Sequence, residues 1–509
     1  MTHPIAAEFL ELPLRALADA ALTRAGELGA EHADLRVERV RTQSIALRDT
    51  RLVGNHESED LGFAVRVLRN GVWGFASAVA LETTQAAQVA ERAIGMARVA
   101  APMTSERVEL ATEPVYSDHT WVSDYEVDPF MVSDEDKIAL LTAYSERAGG
   151  SSAVSHVTTE LTQVLENTFY ADLAGTMTTQ QRIRSEPVVE ALAVDENAGH
   201  AETMRTLAAP AARGWEYVTG QDGLVDWSAE LDSLGPLLAE KLRAPSVEPG
   251  TYDLVIDPSN LWLTIHESVG HATELDRALG YEANYAGTSF ATVDQLGSLR
   301  YGSPLMHVTG DRETPHALST IGYDDDGVAA QTWDIVREGR LVGYQLDRAM
   351  AHRLADSLGT SRSNGCAFAD SPGHIPMQRM ANVSLQPATQ GPSTPELIAH
   401  VDDGIYIVGD KSWSIDMQRY NFQFTGQRFY RIKNGALAGQ LRDVAYQATT
   451  TDFWGSLRGL GGSQTYHLGG ALNCGKGQPG QIAPVSHGCP SALFENIRVL
   501  NTDQEGNQP

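Results

Sequence analysis

The chain has 509 residues, 66 of them acidic and 38 basic, and its net charge of -28 repels phosphate backbones and anionic membrane surfaces, which argues against direct nucleic-acid binding. With 42% hydrophobic and 20% charged residues the composition is that of a globular protein, and at roughly 100–200 residues per domain the length implies two or three cores. No basic leader with an apolar core precedes Leu14, no run nears the ~18 apolar residues that span a bilayer, and Cys366, Cys474 and Cys489 cannot all pair, so a cytoplasmic protein off the membrane with at least one free thiol is expected.

In chain order, Leu10 to Gly29 repeats Leu and Ala at helical spacing and predicts an amphipathic helix. Ala33 to Ala78 alternates as strands do, with Asn70-Gly71 as a two-residue hairpin turn, and Thr83 to Val99 returns to a helix capped by Thr83 or Thr84. An irregular Pro/Ser/Asp-rich connection, Ala101 to Phe130, precedes a capped helix from Ser133 to Ala148. Strands are expected between Val154 and Val194, and a helix from Trp227 to Leu242. The Pro- and Gly-containing segment Ala244 to Gly250 marks a domain boundary, giving an N-terminal α+β domain at 1–244 and a C-terminal domain at 245–509. Beyond it the pattern is mostly β, with hairpin signals at 335–343 and 432–439. The expected fold is α+β: a sandwich-like N-terminal domain and a mostly antiparallel, barrel-like C-terminal domain that carries one conspicuous helix at its start.

That helix follows a strand (Tyr252 to Ile256), with Asp257 as N-cap and Pro258 in the first turn, so His266 and Glu267 fall inside it. Two metal-binding histidines with an intervening Glu general base normally stand at i and i+4, about 40° apart around the helix. His266 and His271 stand at i and i+5, roughly 140° apart. Holding one ion therefore requires a local distortion such as a π-bulge, which Gly270 is the residue most able to permit. The bland alternative is a pair of buried, hydrogen-bonded histidines. A hydrolytic zinc site needs a third ligand, and Cys474, in the Gly-rich segment Leu468 to Gln478, competes with Cys489 for that place; spacing does not separate them.

From Glu31-His-Ala-Asp-Leu-Arg-Val-Glu-Arg39 through Gly71-Val-Trp-Gly-Phe-Ala76, the HExxxH segment at 266–271, Gly302-Ser-Pro-Leu305 and Tyr323-Asp-Asp-Asp-Gly327 to Cys474-Gly-Lys-Gly-Gln478, the chain resembles the TldD/PmbA family of metallopeptidases, also labelled modulators of DNA gyrase. The resemblance implies that His266, His271 and Cys474 bind Zn2+, that Glu267 is catalytic, and that the chain is of the metal-binding TldD type. It further implies a peptide substrate, small or unfolded, and a dimer that encloses the site, either of two copies or with a metal-free PmbA/TldE-type subunit. Strands at the cavity wall could then hold a peptide by β-addition.

Two rivals belong to other classes: a non-catalytic peptide-binding or scaffold subunit with a structural metal, and a regulator of DNA gyrase acting through protein partners. A fourth protein ligand would favour the first; the charge opposes direct DNA contact in the second. Tyr323 to Gly327 is expected to be a turn, since its consecutive acids do not alternate as calcium ligands do. Gly459 to Ser463 and Gly469-Gly470 read as tight loops, His467 and His487 as loop or core histidines, and Glu274 and Asp276 as solvated helix charges or partners of a ligand imidazole.

Overall fold

The computed structural model describes residues 3–196, 199–359, 361–477 and 479–506, so Gln478 at the end of the Cys-Gly-Lys segment lies outside the described residues. The N-terminal part is a seven-stranded sheet built from β1 (His32–Arg48), β2 (Arg51–Arg69), β3 (Val72–Ala78), β4 (His119–Val122), β5 (His156–Asp172), β6 (Met177–Asp195) and β7 (His200–Arg205). Its path runs β3-β2-β1-β5-β6-β4, with β7 also on β6. Asn70 and Gly71 both take positive φ, 52° and 70°, as a two-residue hairpin between β2 and β3 requires. The helices Leu14–Glu27 and Thr83–Ala100 cover one face through Leu17, Ala21, Val89 and Ile94 against Leu35, Val37, Phe63 and Val65. Glu82 occupies the N-cap of the second helix and makes no side-chain capping bond, so the expected Thr cap is absent.

Alternation along β1 puts Asp34, Arg36 and Glu38 on the opposite face, and that face is also buried, against the C-terminal part. Arg36 donates to Asp325 at 3.1 Å, and Arg66 bridges Asp34 (2.8 Å) and Asp326 (2.5 Å). Tyr323 to Gly327 is indeed a turn with three buried carboxylates, of which Asp325 and Asp326 pair with arginines of this sheet.

The C-terminal part opens with β8 (Gly250–Ile256). A four-stranded sheet follows, ordered β11-β10-β9-β14, from β9 (Val308–Asp311), β10 (Thr332–Arg337), β11 (Arg340–Leu341) and β14 (Asn382–Leu385), beside the pair β12 (Ala367–Phe368) and β13 (Met377–Gln378). Then come β15 (Asp403–Ile415), β16 (Asn421–Lys433), β17 (Ala436–Leu441), β18 (Val444–Thr449), β19 (Leu457–Leu460), β20 (His467–Lys476), β21 (Gln481–Cys489) and β22 (Ala492–Asn501). Strands β15, β8, β22, β18 and β16 pair in turn, and β16 pairs back onto β15, which closes a five-stranded barrel. Within the barrel only the β8–β15 pairing is parallel. The structure is therefore α+β with a barrel in its C-terminal part, as composition and patterning led one to expect. Gly469-Gly470 and Gly459 belong to strands and not to loops, because β20 pairs with β21 in a two-stranded ribbon and β19 pairs with β22. Among the described residues no helix is long and apolar enough to cross a membrane.

Candidate metal centre

The helix Pro258–Ile265 starts where β8 ends. The Asp257 carboxylate accepts the Ser259 N–H at 3.0 Å, and Pro258 stands in the first turn, where no N–H is needed. The Asn260 amide donates to the carbonyls of Gly409 and Thr425, each at 2.9 Å, and its oxygen accepts from the Tyr446 hydroxyl. One polar side chain thereby ties the helix to three barrel strands.

At His266 the helix widens. The His271 N–H bonds back to the His266 carbonyl, five residues away, so one residue is inserted and both imidazoles come to the same side, their ring centroids 4.7 Å apart. Carbonyls that such a turn leaves without a helical partner are taken up by side chains: Tyr301 donates to Ser268, Thr273 to Val269 and Gln345 to Gly270. Gly270 has ordinary helical dihedrals, φ -53° and ψ -62°. Its lack of a side chain matters for space, since a Cβ there would lie 2.6 Å from Met380 Sδ and 3.6 Å from His487 Cε1. The expectation that Gly270 supplies backbone freedom is corrected on this point.

His266, His271 and Cys474 offer donor atoms all within 4.8 Å of one another, and each residue is at most 6% exposed. Zinc bonds of ~2.0–2.3 Å at tetrahedral angles put donors roughly 3.3–3.8 Å apart. His271 Nε2 lies 3.6 Å from Cys474 Sγ. Hydrogen-bond partners set the tautomers. The Val383 carbonyl can only accept, so His487 donates to it from Nδ1 (2.8 Å) and accepts through Nε2 from His266 Nδ1 (2.7 Å), which leaves the His266 Nε2 lone pair free. Likewise Glu274 accepts from His271 Nδ1 at 2.8 Å and leaves its Nε2 free. Burial lowers the pKa of His266 and, more strongly, of His487, so both stay neutral near pH 7.

Cys474 sits on β20, just past a register shift at Ala471/Cys474, in a strand where a Gly-rich loop was expected. Burial raises its thiol pKa, but His271 beside it and Arg379 more than offset this, and the thiol lies below its ordinary range. Two imidazoles and a thiolate-prone cysteine fit zinc. Cys489 stands apart from the cluster, its Sγ against the Pro258 carbonyl, and burial pushes it well up; burial also pushes Cys366 up to about 11.

Around these donors lies a buried ring of charge. Lys476, on the same strand face as Cys474, reaches Glu274 (3.1 Å), Asp276 (2.8 Å) and Glu282 (3.4 Å), and Arg277 joins Glu282. Glu274 and Asp276 are thus not solvated helix charges. Although burial alone would raise Glu274, Lys476 and the His271 bond hold it well below the usual carboxylate range. Glu267, 5% exposed, accepts from Arg419 Nη1 at 2.7 Å. Burial raises it too, but His271, His266, Arg419 and a bond from Trp413 prevail and keep it ionised.

Sequence reasoning set His487 aside and did not single out Lys476 or Arg419. Period-2 spacing from Cys474 was the available signal for Lys476. Nothing local marks Arg419, which arrives 152 residues after Glu267. His467 is exposed at the rim of a cavity of about 790 Å³ that Trp262, Asp257, Asp410 and Gly470 line from one side and Arg205 and Glu186 from the other. The Trp262 ring stacks on His487 at 6.1 Å, so the cavity wall is one ring away from the donors.

Residues 249–501 match the PmbA/TldA metallopeptidase C-terminal domain, and residues 33–97 match PmbA/TldA metallopeptidase domain 1. A metalloprotease of Methanothermobacter thermautotrophicus is 26% identical over 93% of this chain and 96% of its own. A zinc metalloprotease TldD homolog of Saccharolobus solfataricus is 21% identical over 94% and 98%. In fold the chain is similar to a Thermotoga maritima protein named as a proposed modulator of a DNA gyrase (TM-score 0.72, 15% identity, 96% of this chain and 100% of that one) and to TldE from Thermococcus kodakarensis (TM-score 0.69, 13% identity, 95% and 99%). With its HExxxH turn, its late Cys-Gly-Lys strand and both family domains matched, the chain belongs to the PmbA/TldD family of metallopeptidases.

Proposed function

We propose that this chain is a zinc-dependent peptidase that hydrolyses peptide bonds in small or unfolded peptides, with His266, His271 and Cys474 as ligands and Glu267 as general base. The observation that carries the proposal is the convergence of three donors whose free lone pairs meet beside an ionised Glu267 on the same widened turn. Among the described residues no fourth His, Cys, Asp or Glu joins them, which favours an open catalytic site over a closed structural one. A zinc ion held there would polarise a peptide carbonyl and acidify a water molecule. Glu267 takes the proton of the attacking water and passes it to the departing amine nitrogen. Its ionised resting state prepares it for the first of these transfers. Glu274 and His487 hold the two imidazoles in the tautomers that binding needs. The neighbouring cavity of about 790 Å³ offers room for a short peptide segment.

The test is zinc content and cleavage of an unfolded peptide library by wild type, Glu267→Gln and Cys474→Ser. Glu267→Gln is expected to keep zinc and lose about 100- to 10,000-fold in kcat. Cys474→Ser is expected to lose both zinc and cleavage. Undiminished cleavage by Glu267→Gln would sink the mechanism.

A further inference from the structure

We propose that Arg419 is a catalytic residue: its guanidinium, hydrogen-bonded to Glu267 in the resting protein, donates to the scissile carbonyl oxygen as that oxygen becomes anionic. The inference rests on the peptidase reading given above.

Arg419 stands at the tip of the β15–β16 hairpin with φ +62°, a left-handed conformation that a non-glycine residue holds only when its surroundings impose it. The surroundings do so. The Asp416 carboxylate accepts the N–H groups of Gln418 (3.1 Å), Tyr420 (2.8 Å) and Asn421 (3.0 Å), and the Arg419 N–H bonds the Asp416 carbonyl. The Arg419 carbonyl accepts from Thr450 Oγ1 at 2.8 Å, in the first turn of the helix Thr450–Gly455. From the same helix Trp454 donates to Ser268 Oγ at 2.9 Å, inside the widened turn that carries Glu267. One short helix therefore fixes the arginine and the base relative to each other.

The side chain is only partly engaged. Among the described residues its hydrogen bond is Nη1 to Glu267, while Nε is buried without a partner. Leaving a guanidinium donor buried and unpaired costs free energy that a bound ligand would recover. The chemistry says when that ligand appears. As the water oxygen bonds to the carbonyl carbon, the carbonyl π pair moves onto its oxygen and the water proton moves to Glu267. Collapse re-forms the C=O bond, breaks the C–N bond and sends that proton to the amine. During the first step negative charge leaves Glu267 and arrives on the carbonyl oxygen, and a fixed cation in reach of both is held more tightly in the transition state than in the resting ion pair. A guanidinium, with five donors in a planar fork, can bond two such oxygens together; an ammonium on the shorter reach of lysine cannot do so in the same geometry.

The experiment uses the full zinc-loaded chain and an unfolded peptide in C-terminally amidated and free-carboxylate forms. Arg419→Met and Arg419→Lys are expected to keep zinc, to lose at least about 100-fold in kcat with KM changed only a few-fold, and to bind a phosphinic peptide analogue correspondingly more weakly. Free guanidinium ion should restore part of the activity of Arg419→Ala, which a general structural defect would not allow. An unchanged kcat in Arg419→Met overturns the proposal. So does a loss confined to KM and to peptides with a free C-terminal carboxylate, which would make Arg419 an anchor for that group. Glu267→Gln is assayed alongside: if it cleaves normally, the peptidase reading itself fails, whereas an inactive Glu267→Gln beside an active Arg419→Met rejects this inference alone.

Discussion

The turn Tyr323 to Gly327 and the HExxxH turn each carry a cluster of buried charge, and the two differ in where their lone pairs point. In the turn Tyr323 to Gly327, Asp324 accepts the N–H groups of Asp326, Val328 and Ala367, Asp325 those of Ala369 and the Arg36 guanidinium, and Asp326 the Arg66 guanidinium and the Arg348 N–H. These acceptors are directed at backbone N–H groups of the C-terminal part and, through Arg36 and Arg66, at the N-terminal sheet, so the cluster latches the two parts together. Around the HExxxH turn the outward atoms, His266 Nδ1 and His271 Nδ1, are engaged in the same way, but the inward ones, two Nε2 atoms and one Sγ, converge on one another. Burial of polar groups is common to both clusters and diagnoses neither. What separates a latch from a metal centre is whether hydrogen bonding leaves a set of lone pairs free and facing the same point.

The largest effect on the latch should come from Arg66→Met, which leaves Asp34 and Asp326 buried without their shared counter-charge. Breaking a buried pair from one side costs about 3–5 kcal/mol, read from denaturant unfolding of the zinc-free chain. Zinc affinity per folded molecule should be unchanged, and a parallel loss of zinc affinity would show that the two clusters are one coupled network.

A slightly smaller effect is expected with acid. Glu166, on β5 in the same inter-part network, would be raised by burial, but Arg182 and Arg184 hold it down at about 2. A depressed folded pKa contributes stability that is present above the unfolded value near 4.5 and is lost as pH falls toward 2. The contribution is on the order of 3 kcal/mol. Unfolding free energy should therefore fall more steeply between pH 4.5 and 2.5 in wild type than in Glu166→Gln. Equal slopes would remove Glu166 from the latch.

The same contrast explains how much the sequence disclosed. Element types along the first hundred residues, the helix cap at Asp257 and the need for a widened turn between His266 and His271 were legible because each rests on local spacing. Alternation marked β1 as a strand, but the burial of Asp34, Arg36 and Glu38 was not legible, since nothing near them announces a partner nearly 300 residues away. Gly270 was noticed for the wrong physical reason: its dihedrals are ordinary, and the constraint is the Met380 side chain arriving from another element. Glu274 looked like a helix-surface charge because its burial depends on Lys476 from β20.

His487 offers the finest test of the comparison, because it lies between the two kinds of cluster: fully buried and hydrogen-bonded like the latch, yet acting on a donor atom like the metal centre. Replacing it by Phe keeps a ring against Trp262 and removes both nitrogens. The His266 Nδ1–H then has no acceptor, the preference for that tautomer disappears, and the imidazole can turn or present a protonated Nε2 to the ion. Loss of such an orienting partner typically costs 10–100-fold in metal affinity, measured by competition with a chelator. Glu274→Gln should fall in the same range, since an amide oxygen still accepts from His271 but without charge. Wild-type zinc affinity in His487→Phe would mean that packing alone, through Trp262 and Met380, sets the orientation of His266, and the distinction between the clusters would then rest on the position of the imidazoles and not on their tautomers.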